Sequence, residues 1–202
     1  MKLSNNMIRI GITGGIGAGK SFVCDRLSTM GFPIFDCDKE GKNLMNSNQI
    51  VRFRLTELLG QECYTNDTLN KAFVAQQIFS NPELKKEVEA IVHPAVAQQF
   101  AQWAESQDTP FVFIESAILF ESGFDQYMDK VIVVDADKEV RTHRILKRDA
   151  CSKEQAEERI NAQMSDTERR KKADYILQNN PASDINSQLF ELMKVLYKLP
   201  SN

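Results

Sequence analysis

The sequence is poor in the residues that build metal clusters and disulfide frameworks. It holds 4 cysteines and 2 histidines in 202 residues. The cysteines (Cys24, Cys37, Cys63 and Cys151) lie far apart and form no Cys-x-x-Cys pair. Because zinc sites and disulfide frameworks depend on closely spaced ligands or paired cysteines, neither is expected here. We expect reduced thiols, as in a cytoplasmic protein.

Long apolar runs and a large excess of charge of one sign are missing as well. No stretch approaches the roughly 18 apolar residues of a membrane span, and no apolar signal core follows the N-terminus. Lys+Arg 25 against Asp+Glu 28 gives a formal net charge of -3 and a pI near 5.5. Proteins that bind nucleic acid usually carry a large excess of basic over acidic residues. The sequence therefore predicts neither a membrane nor a nucleic-acid partner, and it implies no obligate protein partner.

Five short apolar runs predict the strands of one sheet. They are residues 7–13, 33–36, 111–115, 131–135 and, more weakly, 175–177. The runs are apolar throughout instead of alternating, which is typical of strands covered by helices on both faces. Helical spacing lies between them, at residues 20–30, 49–59, 70–79, 82–106, 137–172 and 183–196, with Gly31 as a C-terminal cap. The alternation predicts an α/β fold with a five-stranded parallel sheet flanked by helices.

One helical stretch interrupts this alternation. Residues 41–107 contain no convincing strand, and Pro94 is expected to divide residues 82–106 into two helices. Pro94 also biases His93 toward an extended conformation, and a helix-start or buried hydrogen-bonding role is favoured over catalysis. We predict a single domain with a core at about 1–40 and 108–202, a helical insert at about 41–107 and a lid at about 141–165. Ligands of open α/β sheets bind at the carboxyl ends of the strands, where the insert would lie.

Residues 14–21, GGIGAGKS, match G-x-x-x-x-G-K-[ST] at every fixed position, between a predicted strand and a predicted helix. Glycines let the backbone curl so that successive N–H groups face phosphate oxygens, and the helix N-terminus adds positive charge. Lys20 can reach the β- and γ-phosphates of a nucleotide, and the Ser21 hydroxyl can bind Mg²⁺. The dinucleotide pattern G-x-G-x-x-G fails because residue 20 is lysine.

The remaining motifs favour a small kinase over other phosphate-loop proteins. The Asn70-Lys71 pair does not continue as the N-K-x-D guanine motif, and no transporter signature is present. Asp36 and Asp38 close the second predicted strand, where two carboxylates on an extended chain would project to one side. Asp38 could remove the proton of a hydroxyl acceptor. The alternative is an aspartate that caps the next helix.

Arginines follow the fourth predicted strand at helical spacing. Arg141, Arg144 and Arg148 are spaced i, i+3, i+7, and Arg159 and Gln163 repeat an i, i+4 pairing on the next predicted helix. Charge runs of this kind are ordinarily solvated helix faces. In a phosphoryl-transfer enzyme, arginines on a closing lid would instead stabilise the charge of the transition state. We favour the lid interpretation.

The ordered set of motifs resembles the dephospho-coenzyme A kinase family over nearly the whole chain. In chain order the motifs are TGGIGAGKS (13–21), DCD (36–38), DTL (67–69), IFSNP (78–82), HP (93–94), LFE (119–121), VVD (133–135), RILKRD (144–149), RINAQ (159–163) and AD (173–174). Three positions depart from the family pattern: Phe22 replaces a small hydroxyl residue, Glu115 an aspartate and Ala117 a proline.

The resemblance implies a P-loop kinase fold and transfer of the ATP γ-phosphoryl group to the ribose 3′-hydroxyl of dephospho-CoA, with Mg²⁺. It implies Asp38, Lys20 and Arg144 as catalytic residues and Ser21 as a metal ligand. The ATP-binding residues would be Gly15, Gly17, Ala18, Gly19, Lys20, Ser21, Phe22 and Arg148. The helical insert would hold dephospho-CoA. Two alternatives remain open: another kinase of the nucleoside monophosphate type, and a non-catalytic ATP-binding regulator.

Overall fold

The structure, a computed structural model, describes residues 7–79 and 81–199. The strands are β1 (Ile8–Thr13), β2 (Ile34–Asp36), β3 (Tyr64–Thr65), β4 (Thr68–Leu69), β5 (Phe111–Glu115), β6 (Lys130–Asp135) and β7 (Tyr175–Gln178). The helices are α1 (Lys20–Thr29), α2 (Cys37–Ser47), α3 (Gln49–Leu59), α4 (Lys71–Phe79), α5 (Pro82–Glu105), α6 (Lys138–Asp149), α7 (Lys153–Asn161), α8 (Asp166–Lys172) and α9 (Ile185–Leu196).

The chain divides into two compact units. The first, which we call the sheet unit, is formed from the described parts of Met1–Phe35 and Gln107–Asn202. The second, the helical unit, comprises Asp36–Ser106. Among the residues that the structure describes, no helix has the length and apolar character needed to cross a membrane.

A five-stranded sheet with the order β2-β5-β1-β6-β7 organises the sheet unit. Strand β1 lies at the centre and pairs in parallel with β5 and β6, and β6 pairs in parallel with β7. Ile10, Ile12, Phe113 and Ile132 are fully buried, as expected for strands covered on both faces. The prediction of a five-stranded parallel sheet is confirmed, including its weakest strand. The loop of residues 14–21, which we call the phosphate loop, therefore follows the central strand.

Helix α1 begins and ends close to the predicted positions. Val23, Cys24 and Leu27 form its buried face. The helix stops before Gly31, whose φ of 91° lies in the left-handed region that glycine adopts without strain. The Gly31 N–H donates to the Ser28 carbonyl oxygen at 2.9 Å, so it satisfies one of the last carbonyl groups of the helix.

Three predictions for the helical unit are wrong: the break at Pro94, the extended conformation of His93 and the lack of strands in residues 41–107. Helix α5 runs without interruption from Pro82 to Glu105, with Pro94 inside it and His93 in helical conformation, instead of dividing into two helices. An internal proline costs about 3 kcal/mol. The burial of Val92 and Val96 on either side of it offsets that cost. Helix α2 and the small antiparallel hairpin of β3 and β4 are additional elements that sequence analysis missed.

The arginine-rich stretch between β6 and β7 forms three helices, α6, α7 and α8. Ser152 and Ser165 each form a capping box, with Gln155 and Glu168 respectively, so both short helices have defined starts. Ile145, Ala156 and Ile160 join α6 to α7 through a small apolar cluster. This packing fixes the direction in which α6 presents its polar side chains.

Candidate functional site

The loop of residues 14–21 joins β1 to α1 with a backbone that requires glycine. Gly14, Gly17 and Gly19 have φ values of 154°, 79° and 94°, and Gly19 is the N-cap of α1. Side chains at these positions would be strained. In the part of the chain that the structure describes, the N–H groups of Gly17 and Gly19 donate to no protein acceptor. They are therefore available to an anion at the start of the helix.

A cavity of about 270 Å³ opens over this loop. Its lining residues are Gly17, Gly19, Lys20, Ser21, Arg144, Ile145 and Arg148. The Lys20 ammonium donates to the Gly14 carbonyl oxygen at 3.0 Å, which holds it across the loop. Ser21 donates from Oγ to Glu115 Oε1 at 3.2 Å. The cavity thus joins backbone donors, an ammonium group and a hydroxyl–carboxylate pair.

Arg144 and Asn179 bind the carbonyl side of the loop. Arg144 donates from one terminal nitrogen to the carbonyl oxygens of Gly17 and Ala18, at 3.2 and 3.1 Å, and from the other to that of Asn179, at 2.8 Å. Asn179 donates from Nδ2 to the Ala18 carbonyl oxygen at 2.7 Å. Sequence analysis missed Asn179. Its place directly after β7, at the carboxyl edge of the sheet, was the available signal.

Arg141 does not lie on an exposed lid face. Its side chain is 1% exposed, and Nε donates to the Ile16 carbonyl oxygen at 3.0 Å. The Ile16 N–H donates to Oε1 of Gln163 at 2.7 Å. Because α7 ends at Asn161, the predicted helical pairing of Gln163 with Arg159 is wrong. Both Arg141 and Gln163 act instead on the backbone of the phosphate loop.

Arg148 and Arg159 meet at one carboxylate. Arg148 donates to both oxygens of Asp149, at 2.7 and 3.0 Å, and Arg159 donates to Oδ2 at 2.8 Å. The hydrogen bond from Arg148 is the main reason that the pKa of Asp149 lies below its usual range. Asp149 therefore stays ionised and orients both arginines, of which Arg148 lines the cavity.

The two acidic residues after β2 have different environments. The strand ends at Asp36 and α2 begins at Cys37, so the prediction that Asp36 and Asp38 share an extended segment is wrong. The Asp36 carboxylate accepts from the Lys39 N–H at 2.9 Å and caps α2. Asp38 is an exposed residue in the first helical turn. The capping alternative thus applies to Asp36, and the role of Asp38 remains a prediction.

Three further predicted ATP-binding residues differ in their exposure to solvent. Gly15 is buried, and a Cβ atom there would collide with the Arg141 guanidinium. Ala18 is 1% exposed. Phe22 is 43% exposed and stacks with Arg26, whose guanidinium carbon lies 4.9 Å from the ring centre. The contact of each with ATP stays a prediction.

Burial and the nearby Glu115 carboxylate raise the pKa of the Cys24 thiol far above its usual value. Cys24 is therefore an unreactive part of the core and no candidate nucleophile. Within residues 7–79 and 81–199, no group of three or more His, Cys, Asp or Glu side chains could hold a metal ion. A metal ion here would depend on few protein ligands, as Mg²⁺ does when phosphates and waters complete its shell.

Comparison with known proteins identifies relatives over nearly the whole chain. The sequence model of the family described as dephospho-CoA kinase matches residues 8–184. The dephospho-CoA kinase of Bacteroides fragilis is 38% identical over 192 residues, which cover 95% of this chain and 94% of that protein.

Solved structures agree with this match. The crystal structure of a Thermus thermophilus protein has a TM-score of 0.83 at 32% identity, covering 96% of this chain and 99% of that one. Dephospho-CoA kinase from Campylobacter jejuni has a TM-score of 0.66 at 26% identity, covering 94% and 96%. These similarities confirm the P-loop kinase fold that the sequence predicts.

Proposed function

The chain belongs to the dephospho-CoA kinase family, and from this membership we propose that it transfers the γ-phosphoryl group of ATP to the ribose 3′-hydroxyl of dephospho-CoA. The products are CoA and ADP. The observation that carries the proposal is the loop of residues 14–21 within a family match that spans residues 8–184. The loop supports phosphate binding, and the family match supports dephospho-CoA as the acceptor.

Phosphate binding is proposed for the cavity over the loop. The N–H groups of Gly17 and Gly19 would donate to phosphate oxygens, and Lys20 would neutralise charge on the β- and γ-phosphates. Arg144 and Arg148 line the same cavity. They would stabilise the charge that develops on the transferring group.

Mg²⁺ is proposed to bind at Ser21 and Glu115. Their side-chain oxygens lie 3.2 Å apart at the end of β5 and the start of α1, and oxygen donors are the ligands that Mg²⁺ prefers. When bound, Mg²⁺ would neutralise charge on the β- and γ-phosphate oxygens. Glu115 has one more methylene group than the aspartate common in the family. Its hydrogen bond to Ser21 supports the same pairing in this chain.

Asp38 is proposed to accept the proton of the attacking hydroxyl or to orient that hydroxyl. Its exposed carboxylate follows the carboxyl end of β2, the side of a parallel sheet on which ligands bind. A carboxylate in this role both removes the proton and aligns the oxygen with the γ-phosphorus. Because Asp36 already caps α2, Asp38 does not have that structural task.

A direct test supplies purified protein with ATP and Mg²⁺ and compares dephospho-CoA with a panel of nucleoside monophosphates. We expect CoA and ADP in equal amounts from dephospho-CoA and little turnover of the panel. Lys20→Met should reduce turnover by about 10²–10³-fold, because it removes a charge that stabilises the transition state. If a nucleoside monophosphate were phosphorylated faster than dephospho-CoA, the proposed acceptor would be wrong. ATP binding without turnover of any acceptor would favour a regulator.

A further inference from the structure

Two consecutive peptides of the loop, Gly15–Ile16 and Ile16–Gly17, are each held by a side chain from elsewhere in the protein. Gln163 accepts from the Ile16 N–H at 2.7 Å, and Arg141 donates from Nε to the Ile16 carbonyl oxygen at 3.0 Å. Both partners lie about 125 residues or more away along the chain. These contacts are therefore tertiary contacts that fix the first bend of the loop.

The direction of the Ile16 carbonyl determines the direction of the next N–H. In a planar trans peptide the C=O and the following N–H point in opposite directions. With the Ile16 carbonyl turned toward Arg141, the Gly17 N–H is turned away from it. Glycine 17 tolerates positive and negative φ, so steric hindrance alone does not prevent this peptide from flipping. A flip would present a carbonyl oxygen where an anion needs a donor.

Arg141 is built firmly into this position. It donates from one terminal nitrogen to both carboxylate oxygens of Asp166, at 2.6 and 2.8 Å. Arg169, also 1% exposed, donates to Oδ1 of Asp166 at 2.8 Å. Two buried guanidinium groups thus share one carboxylate, and positive charge remains behind the loop. A Cβ atom at Gly17 would lie 2.7 Å from the Arg141 carbonyl oxygen, which shows how closely α6 approaches.

We propose that Arg141, oriented by Asp166, is a positioning residue for phosphate binding. Its Nε keeps the Ile16 carbonyl on the protein side of the loop, and so keeps the Gly17 N–H directed at the nucleotide phosphates. Arg141 acts through the loop, because its guanidinium donates to the Ile16 carbonyl oxygen and to the Asp166 carboxylate. The inference rests on the proposed function only in taking residues 14–21 as the phosphate site.

The test measures the affinity of full-length protein for ADP and AMP by calorimetry and competition, with no acceptor present. In Arg141→Lys the charge remains but the Nε bond to Ile16 is lost. We expect the Kd for ADP to rise about tenfold, the effect of one charge-assisted hydrogen bond, whereas the Kd for AMP changes little. Arg9→Lys, an exposed substitution on β1, should leave both constants unchanged.

A second variant separates positioning from stability. Arg141→Met with Asp166→Met and Arg169→Met removes the whole buried cluster, two guanidinium groups and the carboxylate they share, a replacement that often leaves stability unchanged or improved. We expect its ADP affinity to stay low even where its Tm matches that of the wild type. Normal ADP affinity in this triple variant, or equal weakening of ADP and AMP binding in Arg141→Lys, would overturn the proposal. Because no acceptor is present, the result does not depend on which hydroxyl is phosphorylated.

Discussion

We propose that Asp38 removes the proton of the attacking hydroxyl, and a single substitution isolates that step. Asp38→Asn keeps the size of the side chain but removes its basicity. We expect kcat and kcat/KM to fall together by about 10²–10⁴-fold, with little change in ATP affinity. Steady-state kinetics and direct ATP binding check both parts.

The matched control for this variant is Asp108→Asn. Asp108 is exposed and precedes β5, at the amino end of that strand. We expect wild-type kinetics from it. If Asp38→Asn were as active as this control, Asp38 would have no role in proton removal.

His93 makes stability depend on pH. Burial in α5 lowers the pKa of His93 below its usual value, and the Glu89 carboxylate opposes this only in part. The unfolded chain therefore binds a proton more readily than the native protein does. The His93 contribution is intact above the unfolded pKa of about 6.5 and is lost as pH falls through that value toward the lower native pKa.

We therefore expect urea midpoints to fall between pH 7.5 and 5.5, and to fall less in His93→Gln. Equal pH dependence in wild type and variant would show that His93 does not carry the effect. The comparison uses the same buffer and salt for both proteins, since exposed charges respond to ionic strength.

The arginines show how far sequence reasoning reached at the level of single residues. Helical spacing placed Arg141, Arg144 and Arg148 on one face but could not tell which would be buried. Their positions depend on contacts with residues more than 120 positions away along the chain. Arg141 binds the Ile16 carbonyl oxygen, and Arg144 binds the carbonyl oxygens of Gly17 and Ala18. The phosphate loop itself was predictable because its sequence pattern is local, with glycines at the positions of positive φ.

Among the helices, α2 owes its start to one side chain. Asp36 accepts the Lys39 N–H, and such an N-cap contributes about 0.5–2 kcal/mol. Asp36→Ala should lower the free energy of unfolding by that amount, as measured by urea denaturation. Asp36→Asn keeps a good capping group and should cost little. Equal losses in both variants would show that capping is not what Asp36 contributes.

The elements that sequence analysis missed have weak local signals. Helix α2 buries only Gly41 and Leu44, too few apolar positions to give a helical pattern. Pro94 signals a break, yet α5 continues because tertiary packing of the helix outweighs the local cost. The parallel strands, in contrast, were predictable because full burial requires continuous apolar runs.

At the scale of the whole molecule, the two units should respond to different ligands. A non-hydrolysable ATP analogue with Mg²⁺ should slow hydrogen exchange in the sheet unit, at the phosphate loop and α6. We propose that dephospho-CoA adds protection in the helical unit, because the insert is expected to hold it. Mass spectrometry of hydrogen exchange checks both. If dephospho-CoA slowed hydrogen exchange only in the sheet unit, the helical unit would have no role in binding the acceptor.

The proposed function depends on transfer of the outer phosphoryl group of ATP to one particular sugar hydroxyl. Labelling the γ-phosphorus and following the label into product measures this transfer. We expect one labelled phosphate per ADP formed, located at the 3′ position of CoA. Label recovered as inorganic phosphate, on a nucleoside monophosphate or at another position of the acceptor would contradict it.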